Sequence, residues 1–106
     1  MPKYLIQGSY TEQGLKGLLK EGGSKRKKAT RQTIEQFGGK LEAFYYAFGS
    51  DDFIIILDVP SDADMTAIAL DAQASGTVKS RVTVLITPEE VDDAVKKHVK
   101  FRAPGQ

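Results

Sequence analysis

The stretch "FYYAFGSDDFIIILDV", residues 44–59, places two runs of strand-forming side chains around a Gly-Ser-Asp-Asp turn. Glycine and aspartate suit tight turns, so a hairpin is the direct reading, with strands over about 40–48 and 52–59. Residues Phe53 to Leu57 are apolar at five consecutive positions. Side chains on a strand alternate, so Phe53, Ile55 and Leu57 point one way while Ile54 and Ile56 point the other. The preceding strand sets Phe44, Tyr46 and Phe48 against Leu41, Ala43, Tyr45 and Ala47, again without a clearly polar side. Such a hairpin predicts a sheet that is covered on both faces.

Reading outward, "KYLIQGSY" at 3–10 alternates as a first strand, with Tyr4, Ile6, Gly8 and Tyr10 on one face and Leu5, Gln7 and Ser9 on the other. Thr11 is placed to cap a helix whose stripe is Leu15, Leu18 and Leu19. The glycine pair in "EGGS", 21–24, breaks it, and Ser24 can cap a second, weakly amphipathic helix carrying Thr30, Thr33, Ile34 and Phe37. "GGK" at 38–40 ends that helix. After the hairpin, Ser61 caps a helix with Met65, Ile68, Ala69 and Ala72 inward and Gly76 as its stop. A last strand covers 77–87 with Val82, Val84 and Ile86 on one face. Thr87-Pro88-Glu89-Glu90 then opens a final helix in which Val91, Ala94, Val95 and His98 share a side.

The order is β-α-β-β-α-β plus a C-terminal helix, which reads as an α+β, ferredoxin-like fold with a four-stranded antiparallel sheet. Right-handed crossovers put the first and third strands in the centre. The helices of the split units lie on one face, and the other stays open. Fully burying a large aliphatic side chain is worth about 1.5–3 kcal/mol, so a bare face carrying Ile54, Ile56 and several aromatics would forgo several such contributions. A short C-terminal helix covers only part of it. A second copy docked sheet to sheet covers the rest, with Phe44, Tyr46, Ile54 and Ile56 as candidate interface residues.

"YTEQG" at 10–14, "KR" at 25–26, "GGK" at 38–40, the hairpin itself and "SGTVKSRV" at 75–82 resemble, in order and spacing over about residues 3–95, the GYD family of small bacterial proteins. The resemblance implies a dimeric α+β barrel, two sheets packed face to face, and brings no established activity. The Gly-any-Tyr-Asp turn for which the family is named reads Gly49-Ser50-Asp51-Asp52 here, with Asp51 at the tyrosine position.

The 106 residues are read as one domain over 1–100 with a flexible tail at 101–106. A formal charge of +1 gives no global attraction to nucleic acid or a membrane surface. With no cysteine and one histidine, neither a thiolate nor a zinc site is expected, and no dinucleotide or P-loop fingerprint points to a cofactor. The absence of cysteine fits a reducing compartment, so the cytoplasm is the expected location. No apolar run approaches membrane-spanning length.

Adjacent Asp51 and Asp52 face opposite sides of a strand and cannot act as an acid–base pair. Their main reading is turn formation, with Asp52 the candidate for a carboxylate at a pocket rim. Ser24, Lys25 and Arg26, in the basic run 22–31, form a candidate anion site at a helix start, although a solvated basic face is the commoner meaning of such a run. His98 reads first as a packing residue. Polar side chains on covered strands need partners, which makes Gln7, Tyr45 and Arg81, with Asp52 and His98, the candidate ligand-binding set. Two functions follow. One is a homo-oligomeric binding or assembly module with a small apolar cavity on the sheet face. The alternative is a cofactor-independent enzyme acting there on an apolar or aromatic substrate. The first is preferred, since no nucleophile–base constellation can be named.

Overall fold

The computed structural model describes residues 1–47 and 49–106. Its elements are β1 (Lys3–Tyr10), α1 (Glu12–Glu21), α2 (Gly23–Gln36), β2 (Lys40–Tyr46), β3 (Phe53–Asp58), α3 (Asp62–Ala74), β4 (Val78–Leu85) and α4 (Pro88–Val95). The four strands form one antiparallel sheet in the order β2-β3-β1-β4, the ferredoxin-like arrangement with β1 and β3 central. Phe48, expected at the end of the second strand, lies outside the described residues.

Helices α1, α2 and α3 cover one face of the sheet. Beneath them lie Tyr4 and Ile6 of β1, Phe44 of β2 and Phe53, Ile55 and Leu57 of β3, joined by Ile34, Val59 and Met65. This settles the parity of the hairpin. Phe44 and Tyr46 belong to the helix-covered side, where they pack edge to face with ring centroids 5.1 Å apart, and not to the open side where an interface role was expected. Ile54 and Ile56 do point to the open side, half-buried in the single chain. Simple alternation also fails for Leu41. A bulge between Leu41 and Ala43 gives β2 one extra residue, so Leu41 packs against the core while Ala43 pairs with Ile56 on the open face.

Helix α1 is rotated relative to its apparent apolar stripe. Thr11 N–H donates to Thr77 O at 2.9 Å and the Thr11 hydroxyl caps Gly14 N–H, which fixes the helix start against the entry to β4. Gly14 is buried there, and a Cβ at this position would stand 2.0 Å from Thr77 O. Gly14 and Leu18 therefore face the sheet, and Leu15 and Leu19 face outward with Leu19 86% exposed. The break before α2 also differs from expectation. Gly22, at φ 87°, ends α1 and precedes α2 directly, so Ser24 lies inside α2 and does not cap it. The other caps form as read: Ser61 Oγ accepts from Asp64 N–H, and Thr87 with Glu90 completes a capping box.

Every residue of helix α4 and of the segment after it is exposed. Ile86, Val91, Val95, Val99 and Phe101 are all exposed, and the radius of gyration is 17.0 Å where a compact domain of this length has about 13 Å. His98, placed in sequence on the packed side of the last helix, follows its end and is exposed.

A buried polar tie joins β1 to α3 on the covered side. The Tyr4 phenol, 2% exposed, donates to Asp62 Oδ1 in the first turn of α3. That bond, then burial and the charges of Asp62 and Asp64, pushes the phenol from 10.0 up to about 12. A raised folded-state pKa means that this contribution is complete below pH 10 and declines as pH rises through about 12. Tyr4→Phe should cost about 1.5–3 kcal/mol in urea denaturation at pH 7, and the difference from the parent should shrink across pH 10–12. Gly14→Ala should lose at least about 1–3 kcal/mol in the same assay, because the new methyl group meets backbone that cannot rotate away.

Candidate functional site

The side chains that define the core do not fill the space between the layers. Helix α2 rests on β2 and α3 on β4, and between them a cleft of about 510 Å³ reaches the sheet. Its floor is Ile6, Phe44, Phe53, Ile55 and Leu57. The reason is legible in the wall residues. Helix α1 presents Gly14 and Gly17, α3 presents Ala69 and Ala72, and α2 presents Thr30 and Thr33. Short side chains at these positions cannot reach across. The two threonine hydroxyls donate within their own helix, to Arg26 O at 3.0 Å and Ala29 O at 3.2 Å. A largely apolar cavity of this size falls within the range of small-molecule pockets, about 300–1,000 Å³.

Polar groups share the lining with this apolar floor. Tyr10 and Arg26 are among them, and the Tyr46 phenol stands beside Tyr10 while donating to Gly23 O at 3.1 Å. The Tyr10 ring packs on Phe53 with centroids 5.2 Å apart. Burial, followed by the adjacent Tyr46 phenol, raises the Tyr10 pKa well above its ordinary value, and the Arg26 guanidinium only partly opposes this. Tyr10 therefore remains a hydrogen-bond donor across the neutral range. Among the described residues Arg26 has no ion-pair partner.

The opposite face of the sheet carries three of the five residues read as ligand-binding. Tyr45 pairs with Ile54, Ile54 with Gln7, and Gln7 with Arg81, so Tyr45, Gln7 and Arg81 stand in one row across the strands. Arg81 is already engaged. Its guanidinium donates to both carboxylate oxygens of Asp51 at 3.0 and 2.9 Å, which raises its pKa further and ties the hairpin turn to β4. A shallow recess of about 360 Å³ lies at this rim, between Ser9, Ser50, Asp51, Lys79, Ser80 and Arg81. At the far end of the same face Lys3 sits between Glu42 and Asp58, whose carboxylates raise its pKa.

Asp52 and His98 do not join this row. Asp52 Oδ2 accepts from Tyr10 N–H at 2.9 Å while Asp52 N–H donates to Gly8 O at 2.7 Å, so its carboxylate holds the end of β1 to the turn. His98 is exposed beyond α4. Of the anion-site candidates, Ser24 and Lys25 stay on the exposed first turn of α2, and Arg26 reaches the cleft. The main cavity thus lies on the face opposite to the one expected. Its signals in sequence are the glycines of α1, passed over beside a leucine stripe, and the threonines of α2, which read there only as weak amphipathicity. Among the described residues no three His, Cys, Asp or Glu side chains gather as a metal site, and no helix is long and apolar enough to cross a membrane.

The family profile described as GYD domain matches residues 4–95. No curated protein matches the chain. A solved structure titled as the crystal structure of MtbAldR superposes with a TM-score of 0.57 at 17% sequence identity, covering 97% of this chain and 59% of that one. At that identity the likeness speaks for the fold alone, and this chain spans well under two thirds of its length.

The two turn aspartates should separate cleanly on substitution. Asp52→Ala removes a charge-assisted bond to backbone and should lower stability by about 1.5 kcal/mol. Asp51→Ala breaks a pair whose Arg81 side is open to solvent and whose Asp51 side is mostly covered, and should cost less, at most about 1 kcal/mol.

Proposed function

This chain belongs to the GYD domain family, and on that footing we propose that it is a homo-oligomeric binding module: two copies meet through their open sheet faces, and each holds a small molecule in the cleft beneath its helices. The observation that carries the reading is the cleft, about 510 Å³ with an apolar floor, in a chain small enough that an unfilled volume of this size is a substantial loss of packing. The oligomer is supported by the open face. Ile54, Ile56, Leu5 and Ala43 lie there without a covering layer, flanked by the Lys3 and Arg81 ion pairs at its two ends. Helix α4, which could have closed over this face, is exposed along its whole length. A face-to-face dimer of this kind is the dimeric α+β barrel. A cysteine-free chain suits the reducing cytoplasm, where we place it.

Native mass spectrometry should give at least twice the 11.6 kDa chain mass. The double variant Ile54→Lys/Ile56→Lys should give the monomer with its circular dichroism retained. A parent chain that stays monomeric at high concentration overturns the assembly part. For the cleft, a neutral apolar fluorophore such as N-phenyl-1-naphthylamine should bind the parent, and Ala72→Phe, which fills the cavity from α3, should abolish the signal without unfolding the protein. Equal binding to parent and filled variant overturns the cleft as the binding site.

A further inference from the structure

The cleft has a chemical polarity that narrows what it can hold. Its floor is hydrocarbon and α3 adds Ile68, Ala69 and Ala72 beside Asp71, whereas Tyr10 and Arg26 face the same space. Arg26 is the cation there, and among the described residues it has no carboxylate partner, although Glu21 and Asp71 also line the cleft. The Arg26 charge is felt at the Tyr10 phenol, so the two groups are close neighbours. A guanidinium always carries its charge and offers several N–H donors in one plane, and a protonated phenol beside it adds an O–H donor. A guanidinium with no carboxylate partner on the lining of an apolar slot, beside a protonated phenol that shares its hydrogen bonding with Tyr46, fits an anion with a hydrocarbon body.

We infer that the cleft binds an apolar monocarboxylate, its aromatic or alicyclic body on Phe53, Ile55 and Ile68 and its carboxylate on Arg26 and the Tyr10 hydroxyl. The surroundings favour this over a bare anion or a neutral hydrocarbon. A free phosphate would leave the apolar floor uncovered, and a neutral hydrocarbon would make no use of the guanidinium at the cleft's edge with solvent. Glu21 and Asp71 act against a second negative charge on the ligand, which is why one carboxylate is specified. The carboxylate site exists only if the cleft is the binding cavity proposed above.

Calorimetric titration with phenylacetate, its neutral amide phenylacetamide, and inorganic phosphate tests this. The parent should bind phenylacetate about tenfold more tightly than phenylacetamide, the effect of one charge-assisted contact. Arg26→Gln should bring the two affinities together while leaving phenylacetamide binding in place. Tyr10→Phe, which keeps the ring on Phe53, should weaken phenylacetate several-fold and phenylacetamide less. Equal affinity in the parent overturns the inference, as does a preference that survives Arg26→Gln or phosphate binding as tightly as phenylacetate. Should the neutral fluorophore still bind and be excluded by Ala72→Phe in those cases, the cleft stands and the carboxylate assignment alone falls. If neither phenylacetate nor the fluorophore binds, both fall.

Discussion

Phe53, Ile55 and Leu57 point under the helices while Ile54 and Ile56, alternating with them on β3, point away, and most of the molecule's organisation answers to that alternation. A central strand with hydrocarbon on both sides requires a cover on each. Among the described residues the chain supplies one from α1, α2 and α3, while on the other side Ile54 and Ile56 stay half-buried, and α4 and the tail are exposed throughout. Each of the two isoleucines left half-wet represents part of about 1.5–3 kcal/mol that burial would recover. The open face is therefore under a standing thermodynamic pull toward a partner surface of like character, and a second copy is the surface always present at matching concentration.

The covered side meets a different constraint. Its helices are amphipathic by position but thin by content. Gly14 and Gly17 give α1 no reach, and the close approach at Thr77 that excludes any Cβ from Gly14 also turns Leu15 and Leu19 away from the core. Helix α2 brings Ile34 fully inside but sets threonines on the cleft wall. The layers are pinned where large side chains meet, at Ile34, Leu57, Val59 and Met65, and at the Tyr4–Asp62 bond. Between those points they stay apart. The cavity is thus a consequence of side-chain size at a handful of helix positions, which makes it adjustable by single substitutions.

How much of this could be read in advance follows from what each signal depends on. Periodicity and turn chemistry are local, so the element order, the central place of β1 and β3, and the caps at Thr11, Ser61 and Thr87 were legible in the residues. Face assignment on β2 was not. Alternation gives two sets without saying which is inward, and the bulge before Ala43 breaks even the alternation, moving Leu41 to the side of Phe44. The α1 stripe misled because three leucines outweigh two glycines on any hydrophobicity scale, while the decisive contact is a backbone approach at Gly14 that no scale records. His98 was placed by extending a helix that ends at Val95. Gln7, Tyr45 and Arg81 stood out in the sequence only as separate polar candidates on strands, and the strand register that puts them in one row is a property of pairing between distant segments.

On the proposed reading the sheet is a wall with a different task on each side, and strand geometry assigns neighbouring residues to different tasks. Ile54 and Ile56 would meet the second copy, and Ile55 and Leu57 would floor the cleft. Tyr45 faces outward while Phe44, beside it in sequence, faces the cavity. Changes in assembly and in ligand preference can then accumulate one residue apart without steric interference, because the backbone between them is held by hydrogen bonds to both neighbouring strands. The hairpin turn is where the two sides communicate. Asp51 reaches Arg81 on the outward row and Asp52 holds the amide of Tyr10, whose side chain lines the cleft. A displacement of that turn would be felt on both faces at once, which makes residues 49–52 the natural place for binding and assembly to be coupled in this domain.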